Sequence, residues 1–323
     1  MANKLYPIKF EPILKTKIWG GNKLKNMLNK NASSPNVGES WEISDVAGSP
    51  SVVENGIFKG QSIKTLLHTY QAELVGEKNY QQFGNTFPLL IKFIDAKSDL
   101  SIQLHPNDAL AAKRHNSFGK TEMWYVMQAD KDAKLIVGFN QPMDINTYQE
   151  HLKNKTLPEI LNFDFVKTGD AYFIDGGRIH AIGAGVLVAE IQQTSDITYR
   201  IYDWDRVDDT GNPRELHTDL ALEAFNFNMP EDFRINYNKE PNKTNFMASC
   251  PYFTTNYLRI TETLLRANTY DSFMIYMCVE GHATITANGV SQLVAMGETV
   301  LVPASLTEIT LASSHATLLE IYV

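Results

Sequence analysis

Cysteine is scarce in this chain: Cys250 and Cys278 are the only two among 323 residues, and both stand in strand-like surroundings. One pair cannot make the dense disulfide framework of a small secreted domain. The two could bond to each other, but buried, reduced thiols fit the setting better. Long apolar runs are missing as well, and nothing approaches the ~18 consecutive apolar residues that a membrane span requires. The N-terminal stretch MANKLYPIKFEP lacks the basic-then-apolar pattern of a signal peptide. There is no long basic run and the net charge is −8, which argues against nucleic acid as a partner. A few local Lys and Arg residues can still outvote that charge where an anionic small molecule binds. An enzyme of the cytoplasm fits these absences.

What is present is an ordinary globular composition, 43% hydrophobic and 20% charged, which speaks against extensive disorder. The length suggests two domains, or one large β domain with an annex. Short runs rich in Val, Ile, Tyr and Phe recur, among them PLLIKFIDA, MWYVMQA, VLVAEIQQ and FMIYMCVEG, and such runs read as strands. Helical spacing is confined to residues 61–76 (stopped by Gly76), 143–162 (interrupted near Pro158) and 107–114 (capped by Asn107 or Asp108). The polar segment 228–250 reads as a linker or surface crossing. The pattern predicts a mainly β chain with a few short helices in its N-terminal part. It divides into a larger domain over 1–235 and a smaller β domain over 236–323, of sandwich or jelly-roll architecture.

A repeated pattern supports the division. Gly169-Asp170-Ala171-Tyr172-Phe173-Ile174-Asp175-Gly176 resembles Gly297-Glu298-Thr299-Val300-Leu301-Val302-Pro303-Ala304. Both are similar to the second motif of the cupin superfamily: Gly, five residues, Pro, one residue, Gly, two residues, His. The first copy follows it closely, with Asp175 for Pro, then Gly177 and His180. The second has no His after its turn. The resemblance implies a bicupin, two jelly-roll β-barrels, of which only the first binds metal.

Four potential ligands lie near such strands: Gln103 and His105 in SIQLHPND, Glu122 in GKTEMWYV, and His180 in GGRIHAIGAG. The two-residue spacing of Gln103 and His105 puts both on one face of a strand, and Pro106 ends that strand with His105 at its mouth. Singly, each has a plain reading: a hydrogen-bonded pair at a barrel rim, a solvent-facing carboxylate, a loop histidine. Together, two imidazoles, a carboxylate and an amide oxygen suit zinc or a similar divalent ion and keep a net positive charge.

The stretch His180–Gly185, followed by EIQQTSDITYRIYDW over 190–204, resembles type I mannose-6-phosphate isomerase in its short bacterial form. Ser101–Pro106, Ile18–Gly21 and Gly38–Ser44 resemble further signatures of that family, and the likeness runs from about residue 5 to the end. It implies a metal-dependent aldose–ketose isomerase that interconverts mannose 6-phosphate and fructose 6-phosphate through an enediol. It also implies one Zn2+ per chain on His105, Glu122, His180 and Gln103, the last being the most replaceable. Arg200 takes the place of the catalytic arginine and Lys120 that of an active-site lysine. Lys92 and Ser101 match residues lining the sugar-phosphate pocket. Glu190 and Asp196 share the motif, and either is a candidate base if burial raises its pKa; a metal-bound water and Lys120 are equally open as the base. Lys92, Lys97 and Lys120 are candidates for the phosphate.

The resemblance has departures. The longer members' Asn-His-Lys-Pro-Glu is reduced to Gly119-Lys120-Thr121-Glu122, and their large helical domain has no room here. For Arg200 the plain alternative is an ion pair with Asp196 or Asp203. For the whole chain it is a non-catalytic bicupin that binds a sugar phosphate; on either reading the chain is expected to be a monomer or a homodimer. An iron-dependent cupin oxygenase fits the ligands but not the motif around Glu190–Arg200.

Overall fold

Most strands of the N-terminal part are buried on both faces, and their packing explains why. The structure is a computed structural model describing residues 4–207, 211–230 and 232–323. Residues 1–3 of the N-terminal stretch and Glu231 of the polar crossing lie outside the described residues. The strands are β1 (Ile13–Gly21), β2 (Val37–Ile43), β3 (Leu89–Ala96), β4 (Ile102–Leu104), β5 (Glu122–Ala129), β6 (Lys134–Phe139), β7 (Leu161–Phe165), β8 (Ala171–Ile174), β9 (His180–Ile182), β10 (Val186–Gln193) and β11 (Tyr199–Tyr202). They form two antiparallel sheets, ordered β1-β2-β3-β10-β5-β8 and β11-β4-β9-β6-β7.

The inner faces of the two sheets meet in one apolar core, where Ile94, Trp124, Val126 and Val188 of the first pack with Leu135, Val137 and Ile182 of the second. Because side chains alternate along a strand, the neighbouring residues Phe93, Met123, Tyr125 and Ile191 point the other way. They join Ile275, Met277, Leu319 and Ile321 of the C-terminal part in the largest core of the molecule. The outer face of the second sheet, including Ile136, Tyr199 and Ile201, is covered by Tyr148 from the helix Ile145–Lys153 and Ala221 from the helix Thr218–Leu222. A charged side chain on β3, β5 or β10 therefore has no route to bulk water except the open end of the barrel. Lys92 in the middle of β3, Glu190 in the middle of β10 and Glu122 at the start of β5 are nevertheless buried charges on these strands.

The C-terminal sheet comprises β12 (Asn245–Ser249), β13 (Thr254–Ile260), β14 (Leu264–Ala267), β15 (Met274–Ala287), β16 (Val290–Ala295), β17 (Thr299–Val302), β18 (Glu308–Ala312) and β19 (Ala316–Tyr322). Strand β15 is 14 residues long. Its first half pairs with β17 and β19 and its second half with β16 and β18, with a register break against β19 after Cys278. A bulge of this kind bends a strand from one wall of a barrel into the other. Leu258, Tyr276, Ile285 and Leu311 fill the interior. The mainly β, two-barrel expectation holds.

Several local expectations change. Residues 61–76 make two helices, Ile63–Tyr70 and Ala72–Val75, because Gln71 takes a positive φ of 45° between them. Gly76 ends the second, as its spacing predicts, and must be glycine: its φ is 94° and a Cβ would collide with the Asp271 carbonyl. A further helix, Glu77–Phe83, follows with only Asn79 buried, so it has no apolar stripe to be read from the sequence. In 143–162 the helix stops at Lys153, and Pro158 lies within a separate 3-10 turn, Leu157–Ile160. Asn107 caps the helix Asp108–His115 by accepting the Leu110 N–H at 3.0 Å. The last part of the 228–250 crossing is already strand β12. Both cysteines are free, but Cys250 is half-buried rather than buried.

Candidate active site

His105, Glu122 and His180 come from three strand ends and converge. Glu122 opens β5, His180 opens β9, and His105 follows β4 directly, with Pro106 behind it. Their potential ligand atoms all lie within 4.8 Å of one another. Glu122 spans the two imidazoles, with Oε2 3.5 Å from His105 Nε2 and Oε1 3.5 Å from His180 Nε2. All three residues are at most 1% exposed.

The outer nitrogen of each ring is already committed. His105 Nδ1 donates to the Ile197 carbonyl and His180 Nδ1 to the Arg178 carbonyl, both at 2.8 Å. These bonds fix the tautomers and turn an unprotonated Nε2 inward, the usual outer-shell arrangement of metal-binding histidines. His105 Nε2, His180 Nε2 and Glu122 Oε2 have no hydrogen-bond partner despite complete burial. Three unsatisfied acceptors in one dry spot are costly unless a cation takes them. The donor set fits a divalent ion.

Electrostatics agrees. Burial, with help from Lys120, holds the His105 imidazole well below its ordinary pKa, and burial brings His180 to about 4. Both are therefore neutral ligands at physiological pH. Burial and the Glu190 carboxylate push the Glu122 carboxyl up, and Lys120, 3.5 Å away, offsets only part of this. A bound cation would restore Glu122 to its charged form.

The histidines also make the metal-free fold acid-sensitive. Below pH 6.5 the unfolded chain protonates His180 while the folded chain does not, so stability is complete above that pH and declines as pH falls towards 4. The loss at His180 should reach about 3 kcal/mol. Urea unfolding of metal-stripped protein at a series of pH values checks this: His180→Asn should lose that part of the slope, and an unchanged slope would contradict it.

A cavity of about 300 Å³ adjoins the cluster through Lys120, 3.5 Å from Glu122, and Gln103, the strand partner of His180. Gln103, Ser101, Lys92, Lys120, Glu190, Asp196 and Arg200 all line it, so every remaining sequence-derived candidate except Lys97 reaches one space. Lys97 is exposed and lies outside the lining. Register explains the convergence. In the second sheet Arg200 pairs with Gln103 and Gln103 with His180, a row whose side chains share a face. In the first sheet Trp124, Glu190, Lys92 and Trp41 form the corresponding row.

Each member of these rows has a defined setting. Gln103 Oε1 accepts from Ser101 Oγ at 3.4 Å. Glu190 receives Lys92 Nζ at 2.9 Å and Trp124 Nε1 at 2.8 Å, one on each oxygen. Burial would raise its pKa, but Lys92 and Lys120 outweigh burial and lower it. The condition under which Glu190 would be a strong base is therefore not met. Lys120 has the opposite balance: burial lowers its pKa, and Glu122 only partly reverses this.

Arg200 makes no ion pair among the described residues. Asp203 is held instead by Arg206 and Arg214, and Asp196 is exposed at the rim. One terminal nitrogen of Arg200 donates to the Glu215 carbonyl at 2.7 Å, while its Nε is buried without a partner. The cavity also contains residues that the sequence reading omitted: Lys15, Lys17, Glu39, Trp41 and Arg214. The one local signal for the first two is the alternation Lys-Thr-Lys in β1, which sets both on one face.

Residues 8–135 match the family profile for the phosphomannose isomerase type I catalytic domain, and 242–323 match the mannose-6-phosphate isomerase cupin domain. The chain is 33% identical over 309 residues to mannose-6-phosphate isomerase ManA of Bacillus subtilis, covering 94% of each protein. It is 31% identical over 298 residues to the mannose-6-phosphate isomerase of Streptococcus mutans, covering 92% of each. The crystal structure of the mannose 6-phosphate isomerase from Bacillus subtilis superposes with a TM-score of 0.89 at 30% identity, over 99% of this chain and 100% of that one. With likeness of this extent, the chain belongs to the type I mannose-6-phosphate isomerase family.

Proposed function

We propose that this protein interconverts mannose 6-phosphate and fructose 6-phosphate through an enediol, with one zinc ion per chain on His105, Glu122, His180 and Gln103. The observation that carries the reading is a cluster of three unsatisfied, buried ligand atoms joined through Lys120 and Gln103 to a cavity that also holds an unneutralised arginine. The isomerisation moves one proton from C2 to C1 and one from O2 to O1. Its difficulty is the negative charge that develops on the sugar oxygens. A bound divalent ion supplies Lewis-acid stabilisation of that charge.

The chain's own groups do the rest. Arg200 directs its guanidinium at the developing oxyanion, and its charge is not spent on a carboxylate. Lys120 is our candidate for moving the proton between C2 and C1: it lines the cavity with its Nζ 3.5 Å from Glu122, and burial lowers its pKa although Glu122 partly restores it. Glu190 remains ionised between Lys92 and Trp124, and it acts by holding Lys92 in place. Ser101 and Asp196 orient sugar hydroxyls. The division at 235/236 then separates a catalytic barrel from one that supports it. Among the described residues no second group of metal-binding side chains occurs.

No helix is long and apolar enough to cross a membrane. We take the enzyme to act in the cytoplasm, as a monomer or a homodimer, on sugar phosphate alone, and its free thiols accord with that compartment. A coupled assay tests the activity. Purified protein should form fructose 6-phosphate from mannose 6-phosphate, and a chelator should stop it. Binding without turnover would instead make the protein a sugar-phosphate sensor.

A further inference from the structure

Six cations line the cavity: Lys15, Lys17, Lys92, Lys120, Arg200 and Arg214. Four are matched by carboxylates. Lys17 meets Glu39 at 3.0 Å, Lys92 meets Glu190 at 2.9 Å, Lys120 lies 3.5 Å from Glu122, and Arg214 Nε meets Asp203 at 2.7 Å. Lys15 and Arg200 have no carboxylate partner among the described residues. Arg200 belongs to the reacting end, in the row with Gln103 and His180. Lys15 stands on the other sheet's edge strand, β1, with Lys92 and Trp41 between it and the ligands.

The orientation of β1 is unusual for an edge strand. Lys15 and Lys17 turn into the cavity, while Thr16 and Ile18 are exposed, Ile18 by 50%. Burial of apolar surface alone would favour the reverse. Glu39 accounts for the inward turn of Lys17, but Lys15 has no such partner. Its Nζ donates to Ser49 Oγ at 2.8 Å and lies 4.5 Å from the Trp41 ring centroid. Lys92 Nζ approaches the same ring at 5.5 Å. The indole thus joins the buried floor to the rim, and a cation with charge to spare waits on the rim side.

We infer that Lys15 is the anchor for the substrate's phosphate group, with Trp41 as the wall along which the sugar chain lies. The inference rests on the isomerase reading and refines it. The phosphate is on C6, five carbon–carbon bonds from the aldehyde carbon, so a sugar reacting over His105, Glu122 and His180 carries its phosphate away from the floor. The floor lysines are poor alternatives, because a phosphate there must disrupt the Lys92–Glu190 or Lys120–Glu122 pair. A phosphate monoester carries a charge of about −1.5 to −2 at neutral pH.

Lys15→Gln is the informative variant because it breaks no ion pair. Kinetics with mannose 6-phosphate and calorimetric binding of inorganic phosphate are measured on the metal-loaded protein. Loss of a charge-assisted hydrogen bond should raise KM about tenfold to a hundredfold. The effect should lie in KM more than in kcat, with phosphate affinity falling in parallel and Lys15→Arg restoring most of both. KM and phosphate affinity within twofold of the parent would overturn the assignment while leaving the isomerase reading intact. Phosphate binding that depends on Lys15, in a protein without isomerase activity, would uphold the anchor and refute the activity. A parent that neither turns over nor binds phosphate would overturn both.

Discussion

Replacing Arg200 by Ala should lower kcat about a thousandfold while the protein keeps its metal, because a preorganised charge aimed at a developing oxyanion typically contributes about 3–4 kcal/mol. The size of the effect follows from how little else engages this guanidinium. Asp203, its nearest acidic neighbour in sequence, is held by Arg206 and Arg214. The charge on Arg200 is half-buried, not neutralised, and shares a cavity with Gln103 and Lys120. Desolvation and Arg214 lower its pKa, a sign of positive charge held with little compensation. Metal analysis separates this role from a structural one. Loss of activity together with loss of metal would mean that Arg200 only maintains the fold around the ligands.

The second large effect is expected at Glu122. Glu122→Gln keeps the shape but removes the one anionic ligand between His105 and His180. Metal retention should fall by at least about a hundredfold, more than is usual for outer-shell partners. Turnover should fall with it, by about a thousandfold if the ion supplies about 4 kcal/mol. The variant should nonetheless fold, since a neutral amide relieves the buried charge that raises the Glu122 pKa. Thermal unfolding of the stripped variant should therefore occur no lower than that of the stripped parent. A stripped variant that is markedly less stable would mean that the carboxylate is needed for folding rather than for metal.

How much of this could be read from the chain itself differed by residue. His180 follows a motif in which Gly169, Gly177 and the turn between them fix its position, so it was legible locally. Gln103 and His105 declared themselves by two-residue spacing before a proline. Glu122 alone reads as a solvent-facing carboxylate and stands out only through the family resemblance, because its burial comes from the second sheet, which brings His105 and His180 against it. Lys15, Lys17 and Arg214 were not legible as site residues. They reach the cavity through pairings of distant strands, and Lys15 in a strand of alternating polarity reads as solvated. Glu190 is, with Asp196, one of the open candidates for the base, on the condition that burial raises its pKa. Burial is present, but Lys92, placed opposite it by β3–β10 register, reverses the consequence. The break at Gln71 has a similar cause: a positive φ in a non-glycine residue leaves no mark on hydrophobic periodicity.

Stoichiometric metal return is the most direct test of the central claim that His105, Glu122 and His180 hold one catalytic ion. Protein stripped by chelator is titrated with zinc while fructose 6-phosphate formation is followed. Activity should rise linearly, break at one ion per chain, and fail to return in Glu122→Gln. Full activity in the stripped protein, or recovery that ignores the Glu122 substitution, would contradict it.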